Sequence, residues 1–347
     1  MATPQLPDAV LAETMAALER HGGNIKHAAD SLGLAWSTFN NRVRMATLRG
    51  VTSSKPFERD ELPSEIAPAS EIIARRKKEY ARRHEAAEAR RLINVRIKID
   101  GPIGIVHGGD PHLDDPGSDI ELIEAHCKII QKTEGLFGAN VGDLHNNWVG
   151  RLAHLHSQQS TSAREAWALV EWYIKATDWL YIIRGNHDCW TGAGDPLNWM
   201  TQGANGVHED WGARLNLQFP NSKEVRINAR HDFSGHSMWN TAHGPAKAVQ
   251  MGWRDHILTC GHLHVSGYQV LKCPSTGLVS HAIRCGSYKR HDRYAREKGL
   301  PDQNIFPAAV TIIDPTRADD DPRLVTTIFD VEQGAEFLRW LRKKSKS

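Results

Sequence analysis

Arg184-Gly185-Asn186-His187-Asp188 follows an unbroken apolar run, Trp179 to Ile183. A short continuous apolar run reads as a buried strand, and side chains crowded at the carboxyl end of such a strand fall where open α/β sheets place their ligand sites. Working outward, four more pieces each follow a plausible strand: Gly109-Asp110-Pro111-His112, Gly142-Asp143-Leu144-His145, His243-Gly244 and Gly261-His262-Leu263-His264. Alone, each is an ordinary turn with surface histidines. Five in order on a strand-and-helix background are not a coincidence of turns.

The ordered set resembles the motifs of the calcineurin-like metallophosphoesterases, over residues 94–290. That resemblance implies an α/β/β/α sandwich and two divalent cations. Carried over motif by motif, Asp110, His112 and His264 hold one metal, Asn186, His243 and His262 hold the other, and Asp143 bridges them. His231 and His236 stand near His243 as alternatives; the Gly after His243 and the helical pattern that begins there favour His243. The resemblance also makes His187 the acid that protonates the leaving group, with Asp188 holding its ring. His231 and Arg184 are expected to bind substrate. Hydrolysis of a phosphate ester needs a hydroxide nucleophile, neutralised phosphoryl oxygens and a proton for the departing oxygen, and two metals about 3.5–4 Å apart supply the first two. Mixed oxygen and imidazole donors suit Mn²⁺, with Fe or Zn²⁺ also compatible, better than Mg²⁺.

Composition sets the frame around this centre. The chain has 347 residues, enough for a large and a small folding unit. Its mean hydropathy of −0.49 is that of a water-facing protein, and no apolar run has the length to span a bilayer. Residues 1–11 lack a basic stretch followed by an apolar core, so no secretory signal is expected. The five cysteines form no close-spaced pair, which fits a reduced cytoplasm. Net charge is +2. Residues 1–92 hold 15 Lys/Arg and 12 Asp/Glu, net +3, leaving −1 for the remainder.

Apolar residues at helical spacing predict a helix over 8–21, stopped by Gly22-Gly23. Asn24 caps a second helix, Gly33 turns the chain, and Trp36, Phe39, Val43 and Ala46 line a third. The run from Gly22 to Leu34 resembles the Fis-type helix-turn-helix, although Ala35 stands where a capping side chain is usual. On that reading Ser37, Thr38, Asn41 and Arg42 face bases and Arg44 reaches phosphate. Residues 50–70 read as a linker, and 71–92 as a helix with eight basic and four acidic residues, solvated or facing a polyanion. The expected division is therefore residues 1–49 (helix-turn-helix), 50–92 (linker and basic helix) and 93–347 (α/β catalytic domain).

The function these readings favour is a two-metal phosphodiesterase or nuclease with DNA as substrate or bound partner. The second enzyme reading is a phosphomonoesterase or protein phosphatase; residues 142–147 lack the Gly-Asp-x-Val-Asp-Arg-Gly run of Ser/Thr protein phosphatases, which disfavours that branch. A DNA-binding regulator with a residual metal site is the reading from another class.

Overall fold

The computed structural model describes residues 5–53, 65–190, 195–291, 296–297, 299 and 305–346. Two compact units divide the chain at Lys77. The first holds three short helices: α1 (Asp8–Arg20), α2 (Ile25–Ser31) and α3 (Trp36–Arg49). Asn24 accepts a hydrogen bond from His27 N at 3.2 Å and caps α2, whereas Ala35 offers α3 no side-chain cap. Ala17, Ala28, Ala29 and Phe39 form the small core of this bundle. A long helix follows, α4 (Ala69–Arg90), none of whose described residues is buried. The expected linker lies in part outside the described residues.

From Ile93 the chain alternates strands and helices, as the pattern of short apolar runs requires. The order is β1 (Ile93–Arg96), β2 (Ile103–Gly108), α5 (Ile120–Lys132), β3 (Leu136–Asn140), α6 (Ala163–Lys175), β4 (Trp179–Arg184), α7 (Asn186–Cys189), α8 (Pro196–Thr201), β5 (Val207–Asp210), β6 (Gly212–Gln218) and β7 (Glu224–Arg230). Then come α9 (His243–Gln250), β8 (Ile257–Cys260), β9 (Gly267–Lys272), β10 (Val279–Arg284), β11 (Ala308–Ile313), β12 (Val325–Ile328) and α10 (Val331–Lys346). Asn221-Ser222 makes the β6–β7 hairpin turn, with Ser222 in the left-handed region at φ 67°.

Two six-stranded sheets result, ordered β1-β6-β7-β8-β10-β9 and β12-β11-β2-β3-β4-β5. Alternation along each strand separates the layers. Ile103 and Ile105 of β2, Tyr181 and Ile183 of β4, and Ile257 of β8 pack between the sheets with Leu215, Leu217 and Ile227. Val106, Ile182, Val310 and Ile312 point the other way, onto α5, α6 and α10 through Ile123, Val170 and Leu338. On the far side, Leu258 and Cys260 of β8 pack on Val249 of α9. The layers are thus helix, sheet, sheet, helix.

Strands β2, β3 and β4 run parallel, as do β7 and β8. Their carboxyl ends gather at one edge, where the segments 109–112, 142–145, 185–188 and 261–264 emerge, whereas His243-Gly244 opens α9. Strand β5 pairs with β4, β11 with β2 and β12 with β11, so the second sheet is completed on both sides of β2, β3 and β4.

Candidate metal centre

Asp143 follows β3, Asn186 follows β4, His231 follows β7 and His262 follows β8, so two sheets contribute to one cluster. Asp143, His231 and His262 offer ligand atoms close enough together to share one ion. The hydrogen-bond geometry shows what that group is suited to hold. His231 Nδ1 lies 2.9 Å from the Val141 carbonyl, which only accepts, so Nδ1 carries a proton. In the neutral ring His231 Nε2 is then a bare lone pair, yet it faces Asn186 Oδ1 at 2.8 Å, Asp143 Oδ2 at 3.3 Å and His262 Nδ1 at 2.9 Å. Electron pairs converging on one point repel unless a cation sits among them. Burial works against a charged His231, but the Asp143 carboxylate holds its pKa up to about 10. A proton taken up there stands in for the cation. For Asp143 the burial penalty is outweighed by the His231, His187 and His112 rings, which hold it far below the usual carboxylate range.

The second group lies alongside. His112 Nε2 and His264 Nε2 approach to 3.1 Å, again two ring nitrogens with room for one proton at most. Asp110 Oδ2 accepts His262 N at 2.6 Å while its Oδ1, fully buried, has no hydrogen bond among the described residues and lies 3.7 Å from His231 Nδ1. Burial pushes Asp110 up to about 7, with His231 and His264 pulling it back. Orphaned buried oxygen, facing imidazole nitrogens and a carboxylate between the groups form a donor set that fits two divalent cations.

The loops are built for this geometry at a conformational cost. Asp110, His112, Asp143, His262 and His264 all sit in the left-handed region, at φ 36°, 40°, 53°, 69° and 51°. Non-glycine residues held there cost of order 1–3 kcal/mol each and collect at functional sites. Backbone hydrogen bonds over-determine them: His112 N to Asp143 O at 3.1 Å, Gly261 N to His231 O at 3.0 Å, and Ser287 Oγ to Asp110 O at 2.6 Å. Gly142 and Gly185 are required by close approach. A Cβ on Gly142 would lie 2.2 Å from His231 Nδ1, and one on Gly185 would lie 2.2 Å from Asp143 Oδ1.

His187 stands at the mouth of the cleft. Its backbone N donates to Asp143 Oδ1 at 3.0 Å, and its ring makes edge contacts with His112 and Trp148, centroids 5.1 and 5.5 Å away. Its Nδ1 hydrogen-bonds the Asn146 carbonyl. A carbonyl only accepts, so Nδ1 keeps its proton and Nε2 is the atom free to exchange one.

Four expectations are corrected here. His243 opens α9, half-buried, its ring against the Gly235 backbone rather than in the Asp143 cluster; His231 occupies the place assigned to it. His231 is accordingly no substrate-binding group. Asp188 does not hold the His187 ring: fully buried, it accepts Leu144 N at 3.0 Å and Gly185 N at 2.9 Å, tying the β3 and β4 loops together. Burial and the Asp143 charge raise it to about 8. Arg184 is engaged by Asp195, at 2.6 and 2.7 Å, and by Asp210, leaving no free fork for a phosphate. His145 and Asn146 are buried loop supports, the former against Trp167.

Sequence reasoning missed Lys289, a buried ammonium 2.9 Å from Asp115 and 5.5 Å over the Trp148 ring. It lies in no motif, and only a buried charge beside His112 marks it. In the N-terminal unit Ser37, Thr38, Asn41 and Arg44 of α3 are exposed, whereas Arg42 is half-buried with its Nε unpaired among the described residues. Among the described residues no helix is long and apolar enough to cross a membrane.

Residues 15–44 match the family model for the bacterial regulatory protein, Fis family. No curated protein matches the chain. Among solved structures, the chain is similar to the calcineurin-like phosphoesterase YfkN from Bacillus subtilis, at 11% identity and TM-score 0.35 over 69% of this chain and 99% of that one. It is also similar to Vps29 from Chaetomium thermophilum, at 11% identity and TM-score 0.33 over 65% and 92%. A third is the NAD nucleotidase NadN of Haemophilus influenzae, at 10% identity and TM-score 0.34 over 65% and 49%. Likenesses of that strength leave the chemistry to be read from the chain's own residues.

Proposed function

We propose that the chain is a metal-dependent phosphoesterase, and within that class a phosphodiesterase that cleaves DNA. The observation that carries the proposal is the convergence of Asn186, Asp143 and His262 on Nε2 of His231 at the shared carboxyl edge of both sheets, with Asp143 and His262 held in left-handed backbone. Divalent cations held there would supply charge neutralisation for phosphoryl oxygens and activate water. Mn²⁺ suits the mixed donors best.

The protein's own groups do the rest. Asp143 separates the two ligand groups and orients His187 through its backbone N–H. Asn146 fixes the His187 ring with Nε2 outward, where a departing alkoxide can collect a proton. DNA as substrate is supported by the Fis-type match and by the exposed polar face of α3. The division into residues 1–49, 50–92 and 93–347 completes the proposal: a nucleic-acid module, a basic connecting helix and a hydrolase.

Asp143→Asn tests it. The variant should lose most turnover of a chromogenic diester in Mn²⁺ and bind less metal by elemental analysis, since one carboxylate serves both groups. Full activity with two metals retained would remove Asp143 from the centre.

A further inference from the structure

Beside the metal centre opens a groove of about 560 Å³ lined by Ser237, Met238, Thr241, Leu263, Val265 and Arg284 among others. Its wall is the metal loop itself: Leu263 stands between His262 and His264, and Arg284 Nη1 donates to the Gly261 carbonyl at 2.5 Å. The groove therefore borders the loop that carries His262 and His264.

The lining selects the occupant's chemistry. Arg284 is fully buried, and its remaining nitrogens are engaged, Nε with Thr241 O at 2.9 Å and Nη2 with Asp232 Oδ1 at 3.0 Å. The guanidinium is thus no receptor for a second phosphate or a carboxylate. The Thr241 hydroxyl donates to Ser266 O at 2.7 Å, and the Ser237 hydroxyl accepts from the backbone N–H groups of Trp239 and Asn240. What remains open is the His236 imidazole and the apolar side chains of Met238, Leu263 and Val265. Met238 of the lining is 93% exposed, an adaptable thioether, and the next residue in the chain, Trp239, carries a bare indole, 94% exposed. A mostly apolar cleft of this size, with one imidazole in its wall and its hydroxyls and guanidinium committed, takes a neutral, flat group. The neutral flat group that a DNA phosphodiester carries is its base, and aromatic lips stack bases regardless of sequence. A base paired and stacked inside a duplex cannot enter such a cleft.

Resting on the phosphodiesterase reading, we propose that this groove receives an unpaired nucleobase flanking the scissile phosphate, with Met238 and Trp239 as its stacking lip, so that the protein acts on single-stranded rather than duplex DNA.

Two esters with the same leaving group separate this from the parent reading: thymidine 5′-(4-nitrophenyl phosphate) and methyl 4-nitrophenyl phosphate, given to the full chain in Mn²⁺. Wild type should favour the thymidine ester by about tenfold in kcat/KM, mainly through KM, as one base stacked on an aromatic implies. The Met238→Ala/Trp239→Ala double variant should lose that preference while turning over the methyl ester at the wild-type rate, and Trp239→Phe should retain most of it. A single-stranded oligonucleotide should be cut faster than its duplex. Turnover of the methyl ester with no thymidine preference, or a preference that survives the double variant, overturns the groove assignment alone. Turnover of neither ester removes the phosphodiesterase reading, and the inference with it.

Discussion

At the scale of single residues, the proton on His231 Nδ1 decides which histidine completes the centre. His231→Ala should empty one of two metal positions and lower turnover by orders of magnitude, whereas His243→Ala should leave metal content unchanged; elemental analysis of both variants measures this. His187 makes a different prediction. With Nδ1 committed to Asn146, Nε2 is its one working atom, so His187→Ala should slow oligonucleotide cleavage by about 10²–10⁴-fold. A nitrophenyl diester, whose phenolate leaves unaided, should be affected far less at equal metal content. Equal losses on both substrates would make His187 a positioning group. Most members of the proposed centre were legible because each motif is local: a strand, then a glycine, then a donor. His231 was not, since it follows β7 without a neighbouring glycine and gains its partners only when β7 comes to lie beside β8 and across from β3.

Elements show the same division between local and distant causes. Helix α3 starts at Trp36 with no side-chain cap from Ala35, as its sequence foretells, and an Ala35→Ser substitution gives the N–H groups of its first turn an acceptor. That is worth about 1 kcal/mol, which should slow amide exchange at Ser37 or Thr38 in the full chain about fivefold; unchanged exchange would show that the first turn is held by other means. Helix α6 has what α3 lacks, since Ser162 accepts Glu165 N at 3.3 Å and Glu165 returns the bond to Ser162 N at 2.7 Å. That reciprocal pair fixes where α6 starts. Strand β5, Val207-His208-Glu209-Asp210, was not readable: three of its four residues are polar, and it is a strand because the open edge of β4 supplies its ladder. Strand β12 is likewise four residues long, too short for a period to show, and is set by its pairing with β11.

The whole molecule carries buried histidines away from the metal centre that make it acid-sensitive. Burial lowers His107 to about 3, His126 to about 4 and His281 to about 4. Their folded pKa values lie below the unfolded value of about 6.5, so between those limits the unfolded chain binds more protons and stability falls as pH falls. Melting temperature should therefore drop from pH 6.5 to pH 4, by a loss on the order of a few kcal/mol, and His107→Gln should flatten the slope if the variant still folds; a pH-independent melting curve would contradict the buried neutral state. DNA binding makes a second prediction at this scale. Arg44→Ala should weaken DNA affinity and lower the salt slope by about one counterion while nitrophenyl diester turnover stays unchanged, and an unchanged slope would place the contact elsewhere. The left-handed residues that present the metal ligands have a consequence for anyone selecting variants of this protein. Heat tolerance and activity pull in opposite directions at those positions: replacing His112 or Asp143 with glycine relieves the backbone and disperses the crowded donors. A library screened only for survival on heating, with no cation supplied, would fill with sturdier but inactive proteins.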